Sequence, residues 1–362
     1  MSPVIFVLAA AVFAQGTSEF LLSGLLPQIA GSTGVSLGTA GLLTSFFAAG
    51  MVIGAPTLAM VAGKLPRRRA LLAFLVLFTA THILGALTTD FPLLLATRAL
   101  AAFANAGFLA VALASVPALV PAEAIGKATS VLLSGVTLAC IIGVPAGTLL
   151  GQYVGWHAAF WAIAAITALA GLGLARAPLG EPEDGPVCRE WRVLAEPGIG
   201  VTLGQGILVN GGTFAAFTYL GTMAGGWAPV ALAAFGIGSF AGVTIAGRAG
   251  ARVRKGGVYV LTAVWAAAFV VAQSLPGLLV AALVAGAAAF GVGSALIAAI
   301  VAEASAQAPR VAGALATTAF NVGAVVGPAV AGLVVVDATQ ARAAFWVSAA
   351  FAAVAALLRR QR

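Results

Sequence analysis

Gln15, Glu19 and Ser23 are spaced i, i+4 and i+8 within a run, residues 4–29, that is otherwise almost wholly apolar. Four-residue spacing puts all three on one helix face. A polar stripe on such a helix faces a water-filled cavity rather than lipid. Glu19 lies about 15 residues into the run, roughly 22 Å from its start at 1.5 Å per residue. An ionisable group costs about 2.5–3.5 kcal/mol in the bilayer core, so one kept there points to function. Burial and a neighbouring cation act in opposite senses on a carboxyl's proton affinity, which lets Glu19 exchange a proton near neutral pH. Arg98 is the second isolated charge, with Asn105 seven residues on, on the same face of the run 92–118. A guanidinium stays protonated, so Arg98 tunes a nearby carboxyl or bonds a substrate oxygen and does not itself carry the proton. The alternatives are a structural carboxyl bonded to a neighbouring helix for Glu19, and outward snorkelling towards the Asp90 end for Arg98.

Neutral polar groups fall on later runs. Asn210 and Thr213 share a face of run 198–223, which also carries Gln205 and Tyr219, and Thr317 and Asn321 are at i, i+4 in run 311–336. They suit hydrogen bonds to a substrate or to an adjacent helix. Run 128–151 contains GVTLACIIGVPAGTLLG, with Gly135, Gly143, Pro145, Gly147 and Gly151, and run 311–336 echoes it with Gly323, Gly327, Pro328 and Gly332. Proline removes a backbone donor and glycine bares the helix surface, so these segments are expected to bend and to pack closely, as a moving interface requires.

Other chemistries lack their residues. No G-x-x-x-x-G-K-[ST] is present to cradle ATP, and G-x-G patterns such as Gly236-Ile237-Gly238 lie inside apolar runs. His82 and His157 are far apart, and Cys140 and Cys188 lie in an apolar run and a polar linker, so neither a metal site nor a disulfide is expected. With no nucleophile–base constellation, no enzyme and no cofactor are expected.

The elements that must position these residues are membrane helices. Hydrophobic residues make up 62% of the chain and charged residues 8%, against about 25% charged in soluble proteins. A span needs about 20 apolar residues. Twelve such runs are legible: 4–29, 40–62, 70–88, 92–118, 128–151, 158–175, 198–223, 229–247, 257–274, 277–302, 311–336 and 343–358. The first has no basic n-region and is too long for a signal h-region, so it is read as a retained helix. The net charge of +8 does not imply nucleic acid, because every Lys and Arg except Arg98 and Arg342 follows an even-numbered run. That asymmetry puts both termini in the cytoplasm.

The charged, Pro-rich stretch 177–197 reads as a cytoplasmic linker between an N-terminal half, 1–176, and a C-terminal half, 198–362. Ala158-Ala159-Phe160-Trp161 returns as Ala343-Ala344-Phe345-Trp346, and Phe47, Gly50 and Gly54 return as Phe235, Gly238 and Gly242. Phe103 returns as Phe290, at nearly the same offset. A repeat after six spans keeps its orientation, giving two pseudo-symmetric six-helix halves with a substrate site at their interface.

FAQGTSEFLLSGLLPQIA (13–30), GMVIGAP with PRRRALL, LLATRALAAFANAGF and GVTLACIIGVPAGTLLGQ followed by GWHAAFW resemble the major facilitator superfamily. TFAAFTYL (213–220) and FGIGSFAGVTIAGR (235–248) extend the likeness, which runs over essentially the whole chain. Within that superfamily the chain is similar to twelve-span drug/proton antiporters, among them chloramphenicol exporters of actinobacterial type. The resemblance implies proton-coupling roles for Arg98 and Glu19 and makes Gly143, Pro145 and Gly147 the antiporter motif. Lys64 stands where the loop motif has Asp, and His157 where relatives often carry Arg.

The expected function is export of a small amphipathic drug, chloramphenicol or a related phenicol, in exchange for protons by alternating access. The expected location is a bacterial inner membrane, with the lipid bilayer and the drug as partners and a monomer as the unit. Candidate substrate contacts are Gln15, Glu19, Asn105, Asn210, Thr213 and Asn321. A sugar or metabolite exporter of the same family is the first alternative. A non-transporting membrane receptor is the second, and it lacks a soluble signalling domain.

Overall fold

Lipid offers the backbone no hydrogen-bond partners, so a chain this apolar must satisfy every peptide group within its own segments. All regular elements among the described residues are helical. The computed structural model describes residues 2–61, 66–177, 197–305 and 312–360. Lys64, Cys188, Arg189, Arg192, Arg310 and nearly all of the linker lie outside them.

The helices are α1 (Pro3–Thr33), α2 (Leu37–Val61), α3 (Arg67–Leu87), α4 (Phe91–Leu119), α5 (Ile125–Leu138), α6 (Val144–Val154) and α7 (Trp156–Ala175). They continue with α8 (Pro197–Ala224), α9 (Ala228–Val271), α10 (Leu275–Ser305), α11 (Ala312–Val334) and α12 (Ala343–Arg360). Local chemistry sets several boundaries. Gly34, at φ 70°, takes the left-handed turn that ends α1. Asp90 caps α4 by accepting a hydrogen bond from the Leu93 amide at 2.8 Å. Gly155, at φ 103°, turns α6 into α7. Run 128–151 is one span interrupted by a π-turn over Ala139–Gly143. Pro145 has no N–H to give the carbonyls a turn earlier, and a wider turn relieves that loss.

Continuous helical geometry covers the 44 residues of α9, which would measure roughly 66 Å if straight, twice a bilayer core. Its neighbours show that it reverses. Phe235 meets Gly286 and Gly242 meets Ala287 and Gly291, running the same way as α10. Further on, Gly257 meets Val292 while Trp265 packs beside Ala282 and Ala285, running the opposite way. The turn therefore falls between these arms, where Arg248, Arg252, Arg254 and Lys255 cluster.

Glycines set the closest helix pairs. At Gly50 a Cβ would strike the Ala99 carbonyl of α4, and Gly54 sits against Phe103 and Ala106 of the same helix. Gly238 and Gly242 close in the same manner on the Leu283 and Ala287 carbonyls of α10. Gly143, Gly147 and Gly151 face Thr17, Leu21 and Leu25 of α1. The partner of the Pro145 segment across the molecule is α9, where Gly236 leaves no room for a Cβ against the Cys140 carbonyl.

Contacts between the first seven helices and the last five are concentrated at the end opposite the chain termini. Gly38 lies on the Gly332 and Val335 carbonyls, Gly41 on the Tyr219 hydroxyl, and Gly221 on the Ser23 carbonyl. Leu26, Leu37, Tyr219, Ala331 and Val335 form one apolar cluster there. At the other end, among the described residues, α4 and α5 make no comparable contact with α10 or α11. Among the described residues, the two groups of helices thus close on each other most tightly at that one end.

Nine helical segments among the described residues are long and apolar enough to cross a membrane, with shorter apolar helices at Gly256–Val271 and Ala343–Leu358. Large apolar side chains such as Val76, Leu87, Leu169, Leu172 and Leu333 point outward and are more than 60% exposed. So much outward apolar surface fits lipid, not water. The chain is an all-α, multi-span membrane protein.

Candidate functional site

The Ser18–Glu19–Phe20 triplet of α1 points three ways into the molecule. Ser18 and Phe20 are buried, whereas Glu19 between them keeps partial exposure. An α-helix advances 100° per residue, so adjacent positions serve different neighbours. Ser18 faces α3 and α4, Glu19 faces α4 and the inner space, and Phe20 faces α8.

Arg98 of α4 is only 1% exposed. One guanidinium nitrogen donates to Ser18 Oγ at 2.8 Å and the other to the Ser18 carbonyl at 2.8 Å. The first also lies 3.4 Å from His82 Nε2 of α3. Phe47 and Phe160 lie against the guanidinium, their ring centroids 4.6 and 5.7 Å from its carbon, a cation–π arrangement strengthened by desolvation. Snorkelling is excluded by this burial. The sequence singled out Arg98 as an isolated charge in an apolar run, where the structure shows it buried, and missed what holds it.

Asn105, two turns along α4, lies beside the Glu19 carboxyl. Its amide also approaches Met51 Sδ at 3.7 Å. Glu19 is within electrostatic reach of both Arg98 and Cys140. Gln15, one turn before Glu19, is 1% exposed, and neither its amide oxygen nor its nitrogen has a hydrogen-bond partner. A buried polar atom without a partner costs about 1–3 kcal/mol, and among the described residues this amide is free to take one. Gln15, Glu19, Arg98 and Asn105 are thus gathered by α1 and α4.

Beyond Glu19 lies a narrow apolar pocket of about 10 Å³. It is lined by Phe20, Phe214, Phe217, Phe235 and Phe290, with Cys140, Val144, Thr213 and Leu232. Phe20 stacks on Phe214 at 5.9 Å and meets Phe217 edge-on at 5.8 Å, while Phe235 meets Phe290 edge-on at 5.9 Å. The rings come from α1, α8, α9 and α10, so the pocket bridges the early and late helices. Thr213 reaches it, although its hydroxyl donates to the Val209 carbonyl at 2.8 Å.

Asn210 and Asn321 are employed differently. Asn210 donates to the Phe320 carbonyl of α11 at 2.7 Å, and Asn321 donates to the Thr317 carbonyl of its own helix at 2.9 Å. Both remain half-buried, and neither lines the pocket. Gly143 and Gly147 shape it indirectly by seating α6 on α1, and Pro145 follows Val144, which lines it. Of the five phenylalanines, Phe235 and Phe290 were read only as repeat positions and none as part of a pocket, since Phe is common in this chain. His82 carried a usable signal, being a lone ionisable ring in an apolar run, the same signal that exposed Arg98.

Among the described residues no cluster of His, Cys, Asp or Glu could hold a metal ion.

The comparisons with known proteins agree in direction. The sequence profile of the Major Facilitator Superfamily matches residues 8–231 and 217–361. The chloramphenicol resistance protein of Streptomyces lividans is 46% identical over 371 aligned residues, covering 98% of this chain and 94% of that protein. The inner membrane transport protein YdhP of Escherichia coli K12 is 31% identical over 341 residues, covering 91% and 87%. In fold, a bacterial homolog of the human lysosomal transporter Spinster, in an inward-facing and occupied conformation, superposes with a TM-score of 0.80 at 16% identity, over 98% of this chain and 95% of that one. The same homolog in its unoccupied form gives 0.77. The chain belongs to the Major Facilitator Superfamily and is a membrane transporter, closely related to an actinobacterial chloramphenicol resistance protein.

Proposed function

We propose that this transporter exports chloramphenicol or a related small aromatic drug in exchange for protons, by alternating access of one central site to the two membrane faces. The observation that carries the reading is the position of Glu19. It is a half-buried carboxyl between an apolar, phenylalanine-lined pocket and a buried guanidinium. The Phe20, Phe214, Phe217, Phe235 and Phe290 rings offer stacking faces to a drug ring once they part to admit it. The unpartnered Gln15 amide, Asn105 and Glu19 offer hydrogen bonds to its polar end.

Proton and drug then compete through one group. Glu19 takes a proton from the outer side, and its release inward accompanies drug binding. If the drug is neutral and one proton enters, the membrane potential contributes about 2.3 kcal/mol per 100 mV and each unit of pH gradient about 1.36 kcal/mol.

The reading includes twelve spans in two pseudo-symmetric halves, 1–176 and 198–362, joined by the linker 177–197. Matching closures of α2 on α4 and of α9 on α10 support it, as does the like treatment of Phe160 and Phe345, both buried, beside Trp161 and Trp346, both exposed. With the termini cytoplasmic, as the basic residues favour, the tightly closed end is the outer one and the site opens to the cytoplasm. The site lies within one chain, in keeping with a monomer.

A drug-susceptibility panel in an exporter-deficient bacterial host tests the substrate. Chloramphenicol tolerance should rise on expression of the wild type. A panel in which tolerance rises for no phenicol contradicts the substrate assignment.

A further inference from the structure

Ser18 and His82 are absent from every role given so far, yet they make the closest contacts of Arg98. His82 is 1% exposed and held at both ring nitrogens. Its Nδ1 lies 2.8 Å from the Phe78 carbonyl, which only accepts, so Nδ1 carries the hydrogen. In the neutral ring Nε2 is then an acceptor, and it lies 2.7 Å from Ser18 Oγ. Ser18 therefore donates to His82 and accepts from Arg98 at 2.8 Å. The chain Arg98 to Ser18 to His82 to the Phe78 carbonyl uses each hydrogen once. A second proton on the ring would remove the acceptor that the Ser18 hydroxyl uses and set a cation 3.4 Å from the guanidinium, so the arrangement favours a neutral ring. Phe78 and Phe160 flank that ring at 4.2 and 5.6 Å. The titratable groups facing this cluster are Arg98 from α4 and Glu19 from α1.

We propose that Ser18 and His82 form a dock that holds the Arg98 guanidinium away from Glu19 in this conformation, which makes His82 a positioning residue for ion coupling. Every hydrogen bond that Arg98 makes goes to the dock, and none goes to the carboxyl whose charge it feels. Ser18 and Glu19 are consecutive on α1, so one change of guanidinium rotamer exchanges the dock for the carboxylate. With Glu19 protonated the guanidinium rests on neutral dipoles; with Glu19 ionised it moves to the charge. His82 stays neutral throughout and contributes as an acceptor. The inference rests on the proton-coupling reading of Glu19 and Arg98 but concerns a separate pair of residues.

Two measurements test it. The chain has two histidines, so His157→Gln leaves His82 as the one imidazole in tag-free protein. Nitrogen-15 NMR of that protein should show a neutral ring protonated at Nδ1, and its Nε2 signal should move on Ser18→Ala and on Arg98→Ala. An Nε2 signal that ignores both substitutions overturns the dock, whether or not efflux proves to be proton-driven. In proteoliposomes, His82→Leu and Ser18→Ala should each lower pH-gradient-driven chloramphenicol efflux about tenfold, the size of losing one hydrogen bond to a charged group. Gradient-free counterflow should fall much less, and the double variant should be no worse than either single one. His82→Gln, which keeps an acceptor but cannot titrate, should restore most of the coupling and the wild-type pH profile. If His82→Gln fails as fully as His82→Leu, the ring carries the proton and the dock is wrong. Losses that multiply in the double variant also overturn it.

Discussion

At the scale of single residues, the account turns on two charges that the sequence exposed by isolation alone. Glu19→Gln keeps the size and hydrogen-bonding capacity of the side chain and removes its proton exchange. Gradient-driven efflux should fall by on the order of 100-fold, the lower range for loss of a positioned proton-transfer group, with membrane insertion unchanged. Drug accumulation in energised cells measures it, and wild-type efflux by the variant contradicts the role. Arg98 donates from two nitrogens to two oxygens of one residue, Ser18 Oγ and its carbonyl. An ammonium cannot reproduce that fork. Arg98→Lys should therefore impair export nearly as much as Arg98→Ala, and full activity in the lysine variant shows that charge alone suffices. What the sequence could not show is the partner set. Ser18 and His82 come from helices 64 positions apart in the chain, and only packing reveals that they meet. Asn210 and Asn321 illustrate the converse, since a polar residue in a span is equally able to bond a neighbouring carbonyl, as both do.

At the scale of elements, periodicity and glycine spacing were the readable signals. The Gly/Pro pattern of run 128–151 located a bent helix, and the π-turn over Ala139–Gly143 gives that bend its form. The partner was less legible, because Gly143 and Gly147 face α1 while the Cys140 backbone faces α9 across the molecule. Nor does hydropathy show where a chain turns inside continuous helical geometry. The reversal in α9 follows from which residues of α10 each arm meets. The tightest seam between early and late helices is at Gly38, Gly41, Gly221 and Gly332, where added side chains would meet carbonyl oxygens or the Tyr219 hydroxyl. Gly38→Leu should obstruct closure of that end, because overpacking costs about 1–3 kcal/mol. A loss of roughly tenfold in counterflow, with drug binding to purified protein retained, is the expected outcome. Spin-label distances across the α2–α11 seam should lengthen in the variant. Unchanged distances and wild-type counterflow would show that this seam is not the gate.

At the scale of the whole molecule, the all-helical, multi-span membrane class was legible because lipid leaves so few solutions. The apolar runs fixed an all-helical membrane chain before any contact was known, and the basic residues supplied a direction. Single cysteines introduced at positions 68 and 254 should react with membrane-impermeant reagent only after the cells are opened. Labelling of position 254 from outside intact cells contradicts the orientation, and with it the assignment of the tightly closed end to the outer face. The phenylalanine pocket was not legible at this scale or any smaller one, since its walls come from four helices far apart in sequence. The most direct test of the central claim uses purified protein in proteoliposomes equilibrated with chloramphenicol inside and out, with a pH gradient imposed in either direction. Drug should leave against its own gradient only when protons can enter, and internal pH should fall as it does so. Both effects should vanish in Glu19→Gln. Chloramphenicol movement that ignores the imposed gradient, or that persists undiminished in Glu19→Gln, contradicts the account.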